Sequence, residues 1–408
     1  MNLLKISVAN LKEKKLNSFL SALLLTLGIG MISLLLLLDR QLDEQFKKNI
    51  KGIDMVVGAK GSPLQVILSS IYQIDAPTGN IPLAEVNGLK RNPFVKTVIP
   101  LSMGDNYQGF RILGTTAQYP AHFEAKMTQG KLFDASMEVT IGSKVAEATK
   151  LKIGDTFASS HGLDAQGDAH GEKKYKVVGI FEANGSVVDQ LVLTSLSSVW
   201  DIHEHAEPAG HDDHEEDHHE ADPEHHEEKQ VTSALVQFRS PMGLMTIPRQ
   251  INENTSMQAA LPSIEINRLF SLLGVGIETL RALALIIISI AGVSVFISLY
   301  NSLKERKYEM ALMMSMGATR SRLFLMLLME GIMLAITGFF TGIIVSRIGL
   351  LLFSKAAERD FHYSLSEFSL LPEEIFLFLG ALVIGLLAAA LPSLGIYRLN
   401  ISRTLAEE

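Results

Sequence analysis

The chain has 408 residues, enough for two or three domains, and 47% of them are hydrophobic, more than an ordinary soluble protein carries. The formal net charge of −8 comes largely from one segment, because residues 201–229 hold thirteen carboxylates against the single basic Lys229. Cysteine is absent, which excludes a disulfide framework and thiolate metal sites. Membrane segments are therefore the first feature to look for.

Four apolar runs are long enough to cross a bilayer, which takes about 20 residues at about 1.5 Å per residue. They cover residues 19–38, 282–300, 323–346 and 375–397. A cleaved signal peptide is the alternative for the first run, because three lysines precede it. However, this run is too long for the apolar part of a signal peptide, and no small-residue cleavage site precedes Asp39. The sequence predicts four transmembrane helices.

Lysine and arginine are concentrated in three flanking segments: before the first span, between the second and third, and after the fourth. Because cytoplasmic loops carry the excess of basic residues, these segments and both termini are predicted to be cytoplasmic. The expected divisions are residues 1–43 (N-terminal helix and first span), 44–270 (extracytoplasmic domain) and 271–408 (remaining three spans and C-terminus).

The extracytoplasmic domain is predicted to be a mixed α/β module on helical stalks. Apolar residues at helical spacing continue the first span as far as Ile50 and lead into the second from Ile264, which predicts two stalks. Short β-branched runs bounded by glycine or polar turns predict strands within residues 97–115, 139–159, 176–193 and 231–238. Residues 54–80 fit neither period and receive no assignment.

A histidine-rich acidic tract interrupts this domain and is predicted to be a disordered insert. Eight of the twelve histidines lie in it: His203, His205, His211, His214, His218, His219, His225 and His226. Imidazole and carboxylate ligands suit zinc and other transition metals. Metal capture or sensing, a pH response, and an acidic solubilising loop that binds metals adventitiously all stay open, and without a rigid spacing no individual ligand can be chosen.

Motifs that would make the chain an enzyme are missing. It contains no P-loop to cradle nucleotide phosphates, no H-E-x-x-H zinc protease helix and no G-x-S-x-G nucleophile elbow. We expect a non-catalytic membrane protein whose energy comes from a partner chain, with no nucleic-acid partner.

Ionisable residues inside spans are costly and mark pathways or partners. The runs contain Glu330, with Arg347 at the outer end of the same span. We expect Glu330 to lie near the cytoplasmic boundary and to pair with a basic residue such as Arg320 or Arg322. A hydrophilic path through the membrane is not visible.

Three segments resemble FtsX-like ABC transporter permeases, the group that includes MacB-type and lipoprotein-releasing permeases. Residues 298–331 (SLYNSLKERKYEMALMMSMGATRSRLFLMLLMEG) resemble the family signature, and the ending from Leu391 is similar to its C-terminal motif. Residues 139–157 and 176–181 resemble the MacB-type periplasmic core domain. The histidine tract and residues 54–80 depart from the family pattern.

The resemblance implies a dimer of two four-span chains bound to two cytoplasmic ATPases, with ATP bound only by the partner. By resemblance, residues 304–316 form the helix that lies on the ATPase, with the contact assigned to Lys304, Glu305, Arg306, Glu309, Met313, Met316 and Gly317. The sequence supports this independently, because we expect Glu305, Arg306, Lys307 and Glu309 to be exposed beside adaptable methionines. A helix lying on the membrane surface is the alternative.

The resulting expectation is a multi-pass permease subunit of the bacterial inner membrane that works by mechanotransmission, as type VII ABC systems do. It would form a homo- or heterodimer, with a periplasmic binding, fusion or lipoprotein partner, and the histidine tract would connect it to zinc or another transition metal. The alternatives are a non-transporting FtsX-type regulator of an extracytoplasmic enzyme and a lipoprotein- or peptide-export permease with an incidental histidine loop.

Overall fold

The computed structural model describes residues 3–160, 173–203, 229–361 and 371–398. Contacts within the chain divide it into two compact units. Met1–Asp43 and Ser271–Glu408 form the first, called the span unit, and Glu44–Phe270 forms the second, called the sheet unit.

The α-helices of the described residues lie in both units. The described residues contain α1 (Leu3–Glu13), α2 (Lys15–Ile50), α3 (Pro63–Ile67), α4 (Leu83–Leu89), α5 (Gln118–His122), α6 (Ser143–Thr149), α7 (Leu196–His203), α8 (Met242–Asn254), α9 (Pro262–Glu305), α10 (Lys307–Ser315), α11 (Arg320–Phe361) and α12 (Glu373–Ser393). Helices α3 to α8 belong to the sheet unit. Four helices of the described residues, α2, α9, α11 and α12, are long and apolar enough to cross a membrane, as the sequence predicted.

Strands lie in the sheet unit. The described residues contain β1 (Met55–Ala59), β2 (Ile81–Pro82), β3 (Val95–Tyr107), β4 (Phe110–Thr115), β5 (Met127–Gly130), β6 (Glu138–Ile141), β7 (Thr156–Phe157), β8 (Tyr175–Phe181), β9 (Leu191–Ser195), β10 (Gln230–Val231), β11 (Ser233–Phe238) and β12 (Met257–Ala260).

One mixed sheet organises this unit, in the order β12-β1-β11-β3-β4-β9-β6-β8-β5, with β7 added beside β8 and β2 pairing separately with β10. The pairs β4–β9 and β6–β8 are parallel, and the other pairs are antiparallel. The four apolar helices together with this mixed α/β sheet agree with the fold class expected from the sequence.

Apolar clusters cover both faces of the sheet around β1, where successive side chains point to opposite sides. In β1, Val56 faces one apolar cluster while Met55 and Val57 face another. The ends of the two long helices pack on the first of these faces, where Phe46 of α2 and Phe270 of α9 join the cluster. The stretch 54–80, left unassigned from sequence, thus contains a central strand, α3 and a π-helical turn over Leu68–Tyr72.

The spans approach one another through glycines. A Cβ atom on Gly30 of α2 would lie 3.1 Å from the carbonyl oxygen of Gly342 in α11, and one on Gly331 would lie 2.7 Å from that of Gly385 in α12. Small residues allow such close backbone contact, which favours helix association in lipid, where the apolar environment supplies no driving force between helices.

Candidate functional site

A short helix, α10, interrupts the path between two spans. Helix α9 ends at Glu305, Arg306 leaves the helical conformation with φ −102° and ψ 17°, and α10 then runs from Lys307 to Ser315. The chain turns back into α11 through Gly317, whose φ of +96° favours glycine over residues with a side chain. The segment predicted as one helix over residues 304–316 is therefore the end of α9, a break and a separate helix.

One face of α10 is buried. Met310, Ala311 and Met314 are almost inaccessible to solvent. They face a cluster whose apolar members come from α1, α9, α11 and the turn after α12: Ile6, Leu303, Leu323, Phe324, Met326, Leu327 and Ile396. This packing fixes α10 in the span unit on one side.

The opposite face of α10 carries a row of exposed apolar side chains, called the apolar row, which consists of Tyr308, Leu312 and Met316. Their exposed fractions are 42%, 46% and 81%. Spacings of four residues place them on one side of a helix. An exposed apolar row with charged neighbours is the arrangement that a helix presents to a hydrophobic groove.

Sequence reasoning identified part of this surface. Lys304, Glu305, Glu309, Met316 and Gly317 are exposed, and Met313 is half-buried. Tyr308 and Leu312 are not among the residues chosen from the sequence, although their four-residue spacing to Met316 is visible there.

The prediction that Arg306 is exposed is wrong. Its residue exposure is 8%, and its guanidinium forms an ion pair with Glu13 of α1 and approaches the Glu309 carboxylate at 4.0 Å. Arg306 lies three residues after Leu303 and four before Met310, so it shares their buried face. Its partner Glu13 lies almost three hundred residues away in the chain, so that local sequence could not indicate the pair.

The expected pairing of Glu330 with Arg320 or Arg322 is also wrong. Glu330 is 2% exposed, and its Oε1 accepts a hydrogen bond of 2.6 Å from Asn10 Nδ2. Arg320 and Arg322 point outward from the first turn of α11. The buried carboxylate therefore depends on the N-terminal helix.

A second buried charge pair, formed by Arg347 and Glu374, joins α11 and α12. Arg347 Nη2 donates to both carboxylate oxygens of Glu374 at 3.0 Å, and Ser33 Oγ of α2 donates to the same carboxylate at 2.7 Å. Their exposed fractions are 8% and 3%. Glu374 lies in the first turn of α12, which begins two residues before the apolar run at 375–397.

The stalk end of α2 is hydrogen-bonded into the sheet unit. Asn49 is fully buried, and its Oδ1 accepts a 3.0 Å hydrogen bond from the backbone N–H of Val187. Lys48 donates to the carbonyl of Asn184, and the Phe46 ring packs against Tyr72 and Phe270 at centroid distances of 4.7 and 5.4 Å. Helices α2 and α9 are thereby joined to the sheet unit and to each other.

The turn after α2 contacts His122. Its Nε2 hydrogen-bonds the carbonyl oxygen of Lys51 at 3.0 Å, and burial lowers the pKa of this imidazole below its usual value while that hydrogen bond opposes the shift. The neutral form is therefore favoured at the base of the stalk.

The predicted metal ligands fall almost wholly outside the described residues. His203 is the last residue of α7, and His205, His211, His214, His218, His219, His225 and His226 lie in the segment that the structure does not describe. Among the residues that are described, no group of three or more histidine, aspartate or glutamate side chains is arranged to hold a metal ion.

Comparisons with known proteins agree with this architecture. A family model described as the MacB-like periplasmic core domain matches residues 18–241, more than half of the chain, and one described as the FtsX-like permease C-terminal matches residues 281–401. No match was found among curated protein sequences.

Two solved structures are similar to part of the chain. The periplasmic region of MacB from Actinobacillus actinomycetemcomitans is 11% identical with a TM-score of 0.33, over 55% of this chain and 97% of that one. The extracellular domain of the noncanonic ABC-type transporter YknZ from Gram-positive bacteria is 14% identical with a TM-score of 0.31, over 50% of this chain and 98% of that one.

The four apolar helices and the two family matches define a membrane permease. The chain belongs to the MacB/FtsX-type family of ABC transporter permeases, as the sequence motifs indicated. Permeases of this family work with a cytoplasmic ABC ATPase.

Proposed function

We propose that this chain is the membrane subunit that couples ATP hydrolysis by a separate ABC ATPase to motion of its extracytoplasmic domain. The observation that carries this proposal is the apolar row of Tyr308, Leu312 and Met316 on α10. A buried face holds α10 against the spans, so that a force applied to the exposed face is passed to them.

The contact with the ATPase is a helix-in-groove contact. The apolar row supplies three anchors at helical spacing, and the exposed charges of Lys304, Glu305 and Glu309 surround it. Interface energy concentrates in a few such anchors, while the surrounding polar residues select the partner. Two ATPase copies would bind a permease dimer, one on each α10.

Two long helices, α9 and α2, provide the path from α10 to the sheet unit. Helix α9 has 44 residues and α2 has 36, which correspond to roughly 66 and 54 Å at about 1.5 Å per residue. Both cross from one compact unit into the other without a break. A displacement at the α10 end therefore reaches the sheet unit through continuous backbone.

The distribution of basic residues supports the orientation. Lysines before the first span and lysines and arginines around α10 favour a cytoplasmic location for both termini and α10. Residues 44–270 would then lie on the outer side of the bacterial inner membrane.

An exposed apolar seam on α9 supports a permease dimer. Leu283, Ile286, Ile290, Val293 and Ile297 are each about half exposed and alternate spacings of three and four residues, as helices that pair side by side do. A second copy of this chain or a homologous chain would pair with this seam.

Leu312→Glu tests the ATPase contact. A charge in the apolar row is expected to cost about 2 kcal/mol or more of binding, the level of an interface hot spot, and to lower the copurified ATPase more than tenfold. The full-length chain is purified from its host membranes, and the copurifying protein with a Walker A motif is quantified by mass spectrometry and ATP hydrolysis.

The matched control is Met245→Glu, which changes another exposed apolar residue, 78% accessible, in the sheet unit. This variant should retain the ATPase. Equal ATPase recovery with Leu312→Glu and the unaltered chain would refute the proposed contact.

The cargo proposal concerns metals. Lys173, the first described residue after segment 161–172, donates to the carbonyl of Asp201, two residues before His203. Segment 161–172 also contains two histidines, His161 and His170, in addition to those of the tract. Their imidazoles and carboxylates would capture zinc or another transition metal for transport.

Deleting residues 203–226 should slow growth under chelation and change the cell's metal content. A variant with all eight histidines of the tract replaced by asparagine keeps the carboxylates and should behave like the deletion. If neither variant alters growth or metal content, the tract has no role in metal handling.

A further inference from the structure

The N-terminal helix α1 presents one polar face to the helices on either side of α10. Ser7, Asn10 and Glu13 follow one another at three-residue spacing, which places them on a single side of the helix. Each has a partner more than 290 residues away in the chain, at Met326, Glu330 and Arg306. Lys14, directly after α1, adds an ion pair with Glu305.

These contacts bracket α10. Arg306 and Glu305 lie at the break directly before it, whereas Met326 and Glu330 lie in the second and third turns of α11, after the Gly317 turn. Asn10 donates to Glu330 at 2.6 Å, and Ser7 Oγ donates to the Met326 carbonyl at 3.2 Å. Helix α1 therefore ties together the two elements whose separation sets the position of α10.

The two charged partners of α1 are buried, with exposed fractions of 8% for Arg306 and 2% for Glu330. A buried ionisable group is costly unless a polar neighbour is held in good geometry. Glu13 and Asn10 supply those neighbours, and Arg306 is also close enough to act electrostatically on Glu330. Loss of α1 would leave both charges without their main partners, which would favour rearrangement of the α9–α10 break.

An apolar contact reinforces the polar ones. Ile6 packs in the same cluster as Met310 and Met314, the residues that form the buried face of α10. Helix α1 thus contacts the elements before, after and beneath α10, while the apolar row remains uncovered.

We infer that α1 is a positioning element of the coupling apparatus: Asn10 and Glu13 hold α10 in the orientation that presents the apolar row. This inference rests on the proposed ATPase contact, because its purpose is to make α10 rigid enough to transmit force. Asn10 and Glu13 act through α10, and neither is required to touch the ATPase.

The first experiment measures the rigidity of α10 without any ATPase. Because the chain has no cysteine, Met316→Cys provides a single site for a nitroxide spin label, and the full-length protein is studied in lipid nanodiscs. In the otherwise unaltered chain, the electron paramagnetic resonance spectrum should have the broad lines of a label whose motion is restricted on an ordered helix end. Asn10→Leu with Glu13→Gln should narrow the lines, since Glu330 loses its hydrogen-bond donor and Arg306 loses the negative charge of Glu13.

Three matched variants separate positioning from general damage. Glu13→Asp keeps the carboxylate and Glu330→Gln keeps a carbonyl oxygen for the Asn10 amide, so both should preserve the ordered spectrum. Lys12→Gln changes an exposed residue on the same helix and should have no effect. A label at Met245→Cys in the sheet unit should give one spectrum in all these backgrounds, which reports that the fold is intact.

The second experiment uses the ATPase that copurifies with the unaltered chain. In the Asn10→Leu, Glu13→Gln variant, ATPase stimulation by the permease should fall by about fivefold or more, the lower range of coupling between two sites. The single variant Glu13→Asp should keep the ATPase stimulation of the unaltered chain. Unchanged spectra at position 316 would overturn the inference even if the ATPase still binds α10. Failure of Leu312→Glu to release the ATPase would instead overturn the proposed contact. It would not change the spectra at position 316, which are recorded without ATPase.

Discussion

Buried charges in the span unit are shared between helices that are distant in the chain. In the described part of that unit, Arg306, Glu330, Arg347 and Glu374 are all less than 10% exposed. The sequence showed Glu330 and Arg347 as charges in or next to an apolar run. Their partners Asn10 and Glu374 lie outside the runs. A hydropathy pattern locates a buried charge, whereas its partner depends on which helices are neighbours in three dimensions.

The pair of Arg347 and Glu374 should be a major contribution to the stability of the span unit. Arg347→Met leaves a carboxylate that is 3% exposed without its guanidinium partner. Breaking one side of a buried ion pair typically costs about 3–5 kcal/mol, so we expect a clear fall in the thermal unfolding midpoint in detergent, followed by circular dichroism.

Two control variants accompany this measurement. Glu373→Gln alters a neighbouring carboxylate that is 55% exposed and 3.9 Å from Arg40, and should cost about 1 kcal/mol or less, as exposed pairs do. Replacing both Arg347 and Glu374 with methionine should recover much of the loss, because two apolar groups leave no unpaired charge. If Arg347→Met unfolds at the same temperature as the unaltered chain, the pair is not stabilising.

At the scale of elements, the sequence predicted the helices and strands whose apolar residues recur with a clear period. The four spans, the helical stalks and strands such as β6 and β8 follow from runs with a clear period. Residues 54–80 could not be assigned, because β1 is buried on both faces and pairs with β11 and β12, some 175 to 205 positions later. A short helix that passes into a π-helical turn follows it, and neither has a simple period.

The same distinction applies to α10. Its amphipathic character was visible, but the ion pair of Arg306 with Glu13 and the packing of α10 against Ile6, Leu323 and Ile396 involve residues distant in the chain. Of the charged residues chosen from the sequence, Lys304, Glu305 and Glu309 are exposed near the apolar row and Arg306 is buried. Identifying the apolar row required knowledge of which face of α10 is buried.

The stalk end of α2 provides an element-scale prediction. Asn49→Ala removes the acceptor of the buried Val187 N–H, and an unsatisfied buried donor costs about 1–3 kcal/mol. The sheet unit should unfold at lower denaturant concentration. Trp200, the single tryptophan, lies in this unit and reports the transition by fluorescence in the full-length protein.

Gln45→Ala is the control for this change, because the Gln45 amide reaches the Gly185 carbonyl only at 3.5 Å, the limit for a hydrogen bond. It should shift the transition much less. Equal shifts in the two variants would show that the buried Asn49 hydrogen bond is not what holds the stalk to the sheet unit.

At the scale of the whole molecule, the proposed mechanism relies on helices that continue from one unit into the other. In this mechanism α10 would receive the ATPase. Helix α9 begins within the sheet unit and is separated from α10 by Arg306 alone, and α2 joins the same sheet unit through Asn49 and Phe46. No substrate path through the span unit is needed, since the buried charges of its described residues are engaged with one another or with polar neighbours.

The most direct test of this mechanism is a distance measurement between the two sheet units of a dimer. A nitroxide at Met245→Cys, 78% exposed, is placed in each chain of the permease–ATPase complex, and double electron–electron resonance is recorded without nucleotide and with ATP and vanadate. We expect the distance distribution to shift with nucleotide and the shift to disappear in Leu312→Glu. A distribution that stays the same while the bound ATPase hydrolyses ATP would contradict mechanical coupling.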